Sequence, residues 1–195
     1  MRNPPKPYAN QTINRYAESV RAQLLRLNQR ELALVHQLSM WCGCPGVRPV
    51  ALVLNRLSNG WLYPVIVAAL LWFQPGRSSV VIAAAALAVG SAHAIYPWIK
   101  RLAARPRPCD VDPSLRPLLN TLDEYSFPSG HCMTVTCVLI PVIAAFPQFE
   151  SFAALLWLLV AWARLATAHH YPSDLLGGTL LGLIVALPIT NLLVA

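Results

Sequence analysis

From residue 13 onward, apolar positions recur at steps of three and four: Ile13, Tyr16, Val20, Leu24 and Leu27, with Arg15, Glu18, Arg21, Arg26 and Arg30 on the other faces. That period predicts an amphipathic helix, basic on its polar side. Such a helix suits an anionic membrane surface or a berth on its own protein. Residues 1–12 are polar and proline-bearing and read as a loose tail. Residues 33–56 are apolar but broken at Cys44-Pro45-Gly46-Val47-Arg48-Pro49, which fits a helical elbow or interfacial hairpin better than a span. Five apolar runs follow, at 58–73, 78–99, 131–146, 152–168 and 175–194. A membrane span takes about 20 apolar residues, so the shorter runs must borrow flanking residues or sit where the layer is thin. Gln74-Pro75-Gly76-Arg77 and Pro147-Gln148-Phe149-Glu150 are turn material. The one long connector, 100–130, is polar, charged and proline-rich, and a connector of that length is usually functional.

The expected fold is all-α: a multi-pass transmembrane bundle of five spans, six if residues 33–56 also cross, with an N-terminal amphipathic helix. Residues 1–56 form the tail, helix and elbow, and residues 57–195 the membrane-embedded domain. Two spans separate the segment 100–130 from 169–174, so both emerge on one face. With five spans the N-terminal region emerges there too.

Composition supports the membrane reading: 56% of residues are hydrophobic, only 12% are charged, and mean hydropathy is +0.49. Soluble domains carry about 25% charged residues. The net charge of +7 is unevenly spread. Eight of the 15 Lys and Arg lie in the first 56 residues, opposed there by Glu18 and Glu31, and four more fall between Lys100 and Arg107. Beside long apolar runs, such charge points to anionic lipid headgroups and away from nucleic acid. The five cysteines match no zinc framework; Cys132 and Cys137 read as packing residues, and Cys42-Gly43-Cys44 is a weak redox candidate. The first 30 residues lack the short apolar core of a cleavable signal peptide.

Three segments concentrate chemistry on the shared face: Lys100 to Pro108, Pro128-Ser129-Gly130-His131, and Arg164 to Asp174. Lys100, Arg107 and Arg164 supply fixed positive charge, and the planar fork of arginine matches phosphate oxygens. Ser129-Gly130 opens a span, where close backbone and free N–H groups receive an anion. His131 and His170 are two imidazoles at the same end. Asp174, four residues after His170, can hold one ring nitrogen and make the other a better nucleophile. A second imidazole can protonate a leaving oxygen. These are the parts of a phosphoryl-transfer site. Singly, each has a plainer reading as a topology determinant, a helix cap or an interfacial loop; their conjunction is what argues for a site.

In order and spacing the segments resemble the signature of the type-2 phosphatidic acid phosphatase family: Lys, six residues, Arg-Pro; then Pro-Ser-Gly-His; then Ser-Arg, five residues, His, three residues, Asp. Lys100, Arg107 and Pro108 meet the first part, residues 128–131 the second, and Arg164, His170 and Asp174 the third. Arg105-Pro106 competes for the first part but is wrongly spaced by two, and His169 falls one residue short in the third. The family's Ser before the arginine is Ala163 here, which removes one hydrogen bond near the phosphate. The likeness covers residues 58–194.

The resemblance implies a metal-independent, cofactor-free lipid phosphatase in which His170 attacks phosphorus and Asp174 orients it. His131 would be the general acid, and Lys100, Arg107, Ser129, Gly130 and Arg164 would hold the phosphoryl oxygens. No carboxylate cluster suited to magnesium is visible. The partners implied are a membrane lipid phosphate and the bilayer of a bacterial cytoplasmic membrane. Polyprenyl phosphates or diphosphates such as undecaprenyl diphosphate, phosphatidic acid and phosphatidylglycerophosphate all fit. Rival readings are a lipid-to-lipid phosphotransferase using the same intermediate, a vanadium haloperoxidase (opposed by the five spans), and a non-enzymatic lipid-binding protein (opposed by both histidines). Outside the site residues, the basic N-terminal region shares the site's face and only Arg77 lies in the opposite loops. The positive-inside rule therefore puts a five-span site in the cytoplasm; with six spans the site would be periplasmic.

Overall fold

The computed structural model describes residues 8–115, 118–119 and 123–194, with the backbone alone over 8–14. The expected place of Ile13 on the apolar stripe, and that of residues 1–7 as a tail, lie outside this description. Helix α1 (Tyr8–Trp41) begins earlier than expected and is 34 residues long. Its later half packs on the protein: Leu24, Asn28 and Val35 are buried, while Tyr16 and Val20 stay exposed. Arg21 caps the end of a neighbouring helix by donating to the carbonyls of Arg101 and Leu102 (3.2 and 3.1 Å), where the helix dipole favours a cation.

The expected elbow over residues 33–56 is confined to residues 42–46. Before it, residues 33–41 complete α1. After it, α2 (Val47–Arg56), a single π-type turn (Leu57–Trp61) and α3 (Leu62–Phe73) form one apolar segment, Val47–Phe73, kinked at Gly60, whose φ of 146° is not helical. Pro49 falls in the first turn of α2, where a missing N–H costs nothing, so it does not stop the helix. Residues 33–56 thus contribute no crossing of their own. The first span starts about three turns before residue 58.

Helices α4 (Pro75–Ala103), α6 (Gly130–Ala145), α7 (Glu150–Ala166) and α8 (Pro172–Leu193) complete the bundle, with a short turn α5 (Pro108–Val111) in the long connector. Among the described residues, four segments are long and apolar enough to cross a membrane; α6 is equally apolar but has only 16 residues. At 1.5 Å per residue it is about 24 Å long, less than a hydrocarbon core of about 30 Å. Large apolar side chains, among them Val65, Trp72, Leu158, Leu180, Ile184 and Leu192, are exposed on the outside, as lipid contact requires.

The centre is the packing of α4, α6 and α8 around Ala88, Ala92, Met133, Cys137, Leu181 and Ala186. Small residues bring these backbones close, as in membrane bundles generally. Gly178 is the tightest point: a Cβ there would stand 2.2 Å from the Ser129 carbonyl oxygen. The approach lets the Ser129 N–H donate to the Asp174 carbonyl at 2.9 Å, which locks the start of α6 to the start of α8.

Candidate active site

The end of the bundle where α4 finishes, α6 and α8 begin and α7 gives way to residues 167–171 holds all three segments singled out in the sequence. A cavity of about 220 Å³ opens there. His131, His170, Arg107, Arg164 and Gly130 line it, together with Ser58, Asn59, Tyr63, His93, Tyr96, Thr134 and Asp123. Lys100, Ser129 and Asp174 stand one layer behind the wall.

Each expected residue has a definite berth. Ser129 caps α6, its hydroxyl accepting from the Cys132 N–H at 3.5 Å. Gly130 follows with its Cα against Tyr96, where a Cβ would lie 2.8 Å from the tyrosine oxygen. Its small size therefore keeps the floor of the cavity open. His131 projects from the first turn of α6, and its Nε2 lies 2.6 Å from Asn59 Oδ1. His170 is buried in the 167–171 connector, with Nδ1 3.5 Å from Asp174 Oδ2. Asp174 is fully buried; its Oδ2 also accepts the Tyr171 N–H at 2.8 Å, closing a capping box at the start of α8.

The three cations are buried as well. Lys100 Nζ lies 2.6 Å from Asp123 Oδ1 and also donates to the Tyr125 carbonyl. Arg107 is held by the carbonyls of His169 (2.7 Å) and Tyr125 (3.1 Å) and by the Asp123 carboxylate. Arg164 donates through Nη1 to Asn55 Oδ1 at 2.5 Å, while its Nε finds no partner among the described residues. That unpartnered donor, beside a cavity with two fixed cations at its wall and a third one layer behind, suits anionic oxygens.

Electrostatics set the state of the connector histidines. Burial pushes His170 well below its ordinary pKa, and the charges of Arg164, Arg107 and Lys100 push it further, so it is a neutral imidazole. His169 is pushed down to about 4, by burial first and Arg164 next, but its Nε2 sits on the Leu119 carbonyl at 3.0 Å and it does not line the cavity. Asp123 is held below the usual carboxylate range. Burial opposes its charge, but hydrogen bonds and charge from Lys100, with Tyr96 and Arg107, outweigh burial.

Several residues at the site were not singled out from the sequence. Asn55 and Asn59 lie four apart on one face of the first span. A polar pair in an apolar segment is itself a signal of function, but the sequence pattern puts Asn55 in the elbow and Asn59 in the first apolar run. Asn55 also donates to the Ala163 carbonyl at 3.1 Å, so the position where the family has Ser is tied down from α2 instead. Asp123, in the long connector, carried no spacing that sequence could use. Arg105, set aside for its spacing, is the largest fully buried side chain among the described residues and reaches Asp174 at 2.6 Å.

Comparisons with known proteins agree with this architecture. The family model described as PAP2 superfamily matches residues 80–195. Decaprenylphosphoryl-5-phosphoribose phosphatase of Mycolicibacterium smegmatis is 31% identical over 151 residues, covering 76% of this chain and 80% of that protein. Phosphatidylglycerophosphatase B of Bacillus subtilis is 33% identical over 100 residues, 45% of this chain and 44% of that protein. Among solved structures, the transmembrane PAP2-type phosphatidylglycerolphosphate phosphatase from Bacillus subtilis superposes with a TM-score of 0.67 at 22% identity, covering 93% of this chain and 94% of that one. Aquifex aeolicus LpxE gives 0.58 at 17% identity, covering 83% and 94%. At those identities the two structures speak for the fold.

Proposed function

The chain belongs to the PAP2 superfamily, and on that premise we propose that it is an integral-membrane lipid phosphatase working through a phospho-histidine. The observation that carries the reading is the convergence of His170, His131, Arg107 and Arg164 on one small cavity, with Asp174 directly behind His170. Asp174 takes the Nδ1 proton side of His170 and leaves Nε2 with a lone pair for phosphorus. As the N–P bond forms, the P–O bond to the lipid breaks and the departing oxygen takes a proton from His131. Water then attacks the phospho-histidine. His131 accepts the water's proton, and inorganic phosphate leaves. Arg107, Arg164 and the Gly130 N–H hold the phosphoryl oxygens where charge develops, Lys100 adds its charge from one layer behind, and Ser129 caps the helix start that presents Gly130.

The substrate class is a phosphate ester or diphosphate of a polyprenyl or glycerophospholipid. Two named relatives act on one compound of each kind. The apolar outer faces of α2, α3 and α4 flank the cavity and leave the lipid's chains in the bilayer. The protein resides in a bacterial cytoplasmic membrane, with its site on the cytoplasmic face, as the basic α1 beside the site favours.

The test is phosphate release by the detergent-purified protein, with EDTA present, on a panel of lipid phosphates and diphosphates. Wild type should release phosphate and His170→Ala should not, with radiolabel trapped on wild type alone after acid-free quenching. Release that survives His170→Ala would overturn the nucleophile assignment. Turnover only when a second lipid is supplied as acceptor would make the protein a phosphotransferase.

A further inference from the structure

Arg105 sits behind the catalytic cavity with every arm of its guanidinium engaged. Nη1 donates to Asp174 Oδ1 and to Ser173 Oγ, both at 2.6 Å. Nη2 donates to Glu31 Oε2 and Nε to Asn28 Oδ1, both at 2.8 Å. The plane of the group lies over the Tyr171 ring, 4.1 Å from its centroid. The side chain is wholly buried and does not line the cavity, so it cannot touch a phosphate held there.

The two oxygens of Asp174 are divided by this arrangement. Oδ1 is committed to Arg105, and Oδ2 accepts from the Tyr171 backbone and faces His170. Arg105 therefore fixes the rotation of the carboxylate and compensates its buried charge. Arg105 is placed in turn by α1. Asn28 and Glu31 are three residues apart on the buried face of that helix, and Glu31 also accepts the Ser173 N–H (3.0 Å) and hydroxyl (2.7 Å). The family match begins at residue 80, so α1 lies wholly outside it.

We propose that Arg105 is a positioning residue for the Asp174–His170 pair and that Asn28 and Glu31 of α1 hold it in place, so that the N-terminal helix completes the active site. The inference rests on the phospho-histidine reading above. It separates two arginines that stand two apart in the same segment: Arg107 meets phosphate, whereas Arg105 acts on the nucleophile through a carboxylate.

The experiment measures kcat and KM separately, and inhibition by orthovanadate as a probe of the phosphate pocket, on the full-length protein in detergent. Misaiming a catalytic group by about 1 Å costs about 100-fold, so Arg105→Gln should lower kcat on that scale while KM and vanadate inhibition change little. Arg105→Lys, which keeps the charge, should recover part of the loss. Glu31→Gln, which keeps the shape of a less buried side chain, should lower kcat without changing the thermal unfolding midpoint, and its effect should not add to that of Arg105→Gln. Arg107→Gln is the contrast, raising KM and weakening vanadate. Arg105→Gln behaving like Arg107→Gln would make Arg105 a phosphate ligand and overturn the inference. So would unchanged kcat in Glu31→Gln, the variant that decides the matter where Arg105→Gln does not fold. An inactive His170→Ala beside a fully active Arg105→Gln sinks this inference alone, whereas an active His170→Ala sinks the reading beneath it.

Discussion

Lys100, behind the cavity wall, pairs with Asp123 on it, Nζ and Oδ1 standing 2.6 Å apart, and the same carboxylate also pairs with Arg107 and accepts from the Tyr96 hydroxyl at 2.8 Å. A carboxylate thus stands where a phosphoryl group would meet its cations. An incoming phosphate must displace it or share them. Partly exposed ion pairs contribute up to about 1 kcal/mol each, so Asp123→Asn should tighten inhibition by inorganic phosphate roughly three- to fivefold. Competition assays with wild type and variant decide it; weaker inhibition in Asp123→Asn would show that the carboxylate organises the cations instead of competing for them.

The neutral state of His170 predicts the acid side of the pH profile. Burial, then Arg164, Arg107 and Lys100, depress its pKa, and in the proposed mechanism the unprotonated ring supplies the lone pair for phosphorus. Activity is therefore retained above the depressed pKa and lost as pH falls through it. An ordinary histidine would be half protonated near 6.5. After correction for the substrate's own second ionisation, near 6, the acid limb of kcat/KM should have its midpoint below 6.5. A midpoint at or above that value would mean that the cations do not act on the nucleophile in the free enzyme.

The membrane bundle, the shared face and the eight motif residues were legible because apolar runs of fixed length and three spaced motifs are local properties of a chain. The run Cys44 to Pro49 predicts a break, and the structure narrows it to residues 42–46, because the effect of Pro49 depends on its falling in a first helical turn. The contacts of Asn55, Glu31 and Arg105 were not legible, since each joins segments 69 to 109 residues apart. No spacing rule reports such pairs; they exist only once the helices pack.

Asn55 offers a test of one such pair. It accepts from Arg164 and donates to the carbonyls of Ala51 (2.9 Å) and Ala163 (3.1 Å), all in a buried setting. Asn55→Leu leaves a buried guanidinium donor without its partner, at a cost of about 1–3 kcal/mol. The expected result is a lower thermal unfolding midpoint in detergent together with a raised KM, since Arg164 loses its aim. A normal KM would show that Arg164 is positioned without α2.

Gly178 and Gly90 make a contrast in packing. A methyl at Gly178 would meet the Ser129 carbonyl at 2.2 Å, with backbone on both sides, so neither partner can yield. Gly178→Ala should force α8 away from α6, shift Asp174 relative to Ser129, and cost about 1–3 kcal/mol of stability with most of the activity. Gly90 lies within α4 and a methyl there meets nothing within 4 Å. Gly90→Ala should preserve turnover and raise helix stability by up to about 1 kcal/mol. Thermal unfolding and phosphate release on the two variants check both expectations, and equal effects would remove the close-approach account of the α6–α8 contact.

Cys44 reports which side of the membrane the site occupies. It is an exposed free cysteine in the 42–46 turn, at the end where the first span begins, and two crossings bring α4 back to that same face. Cys42, Cys132 and Cys137 are buried, and replacing Cys109 with Ser removes the remaining partly exposed thiol. In intact spheroplasts a membrane-impermeant maleimide should leave Cys44 unlabelled until the cells are permeabilised, if the orientation proposed from the basic α1 holds. A variant with Cys44→Ser and Gly76→Cys, in the first turn of the second span, should label without permeabilisation. The reverse pattern would put the phosphate cavity outside the cytoplasm and show that charge on α1 does not orient this bundle.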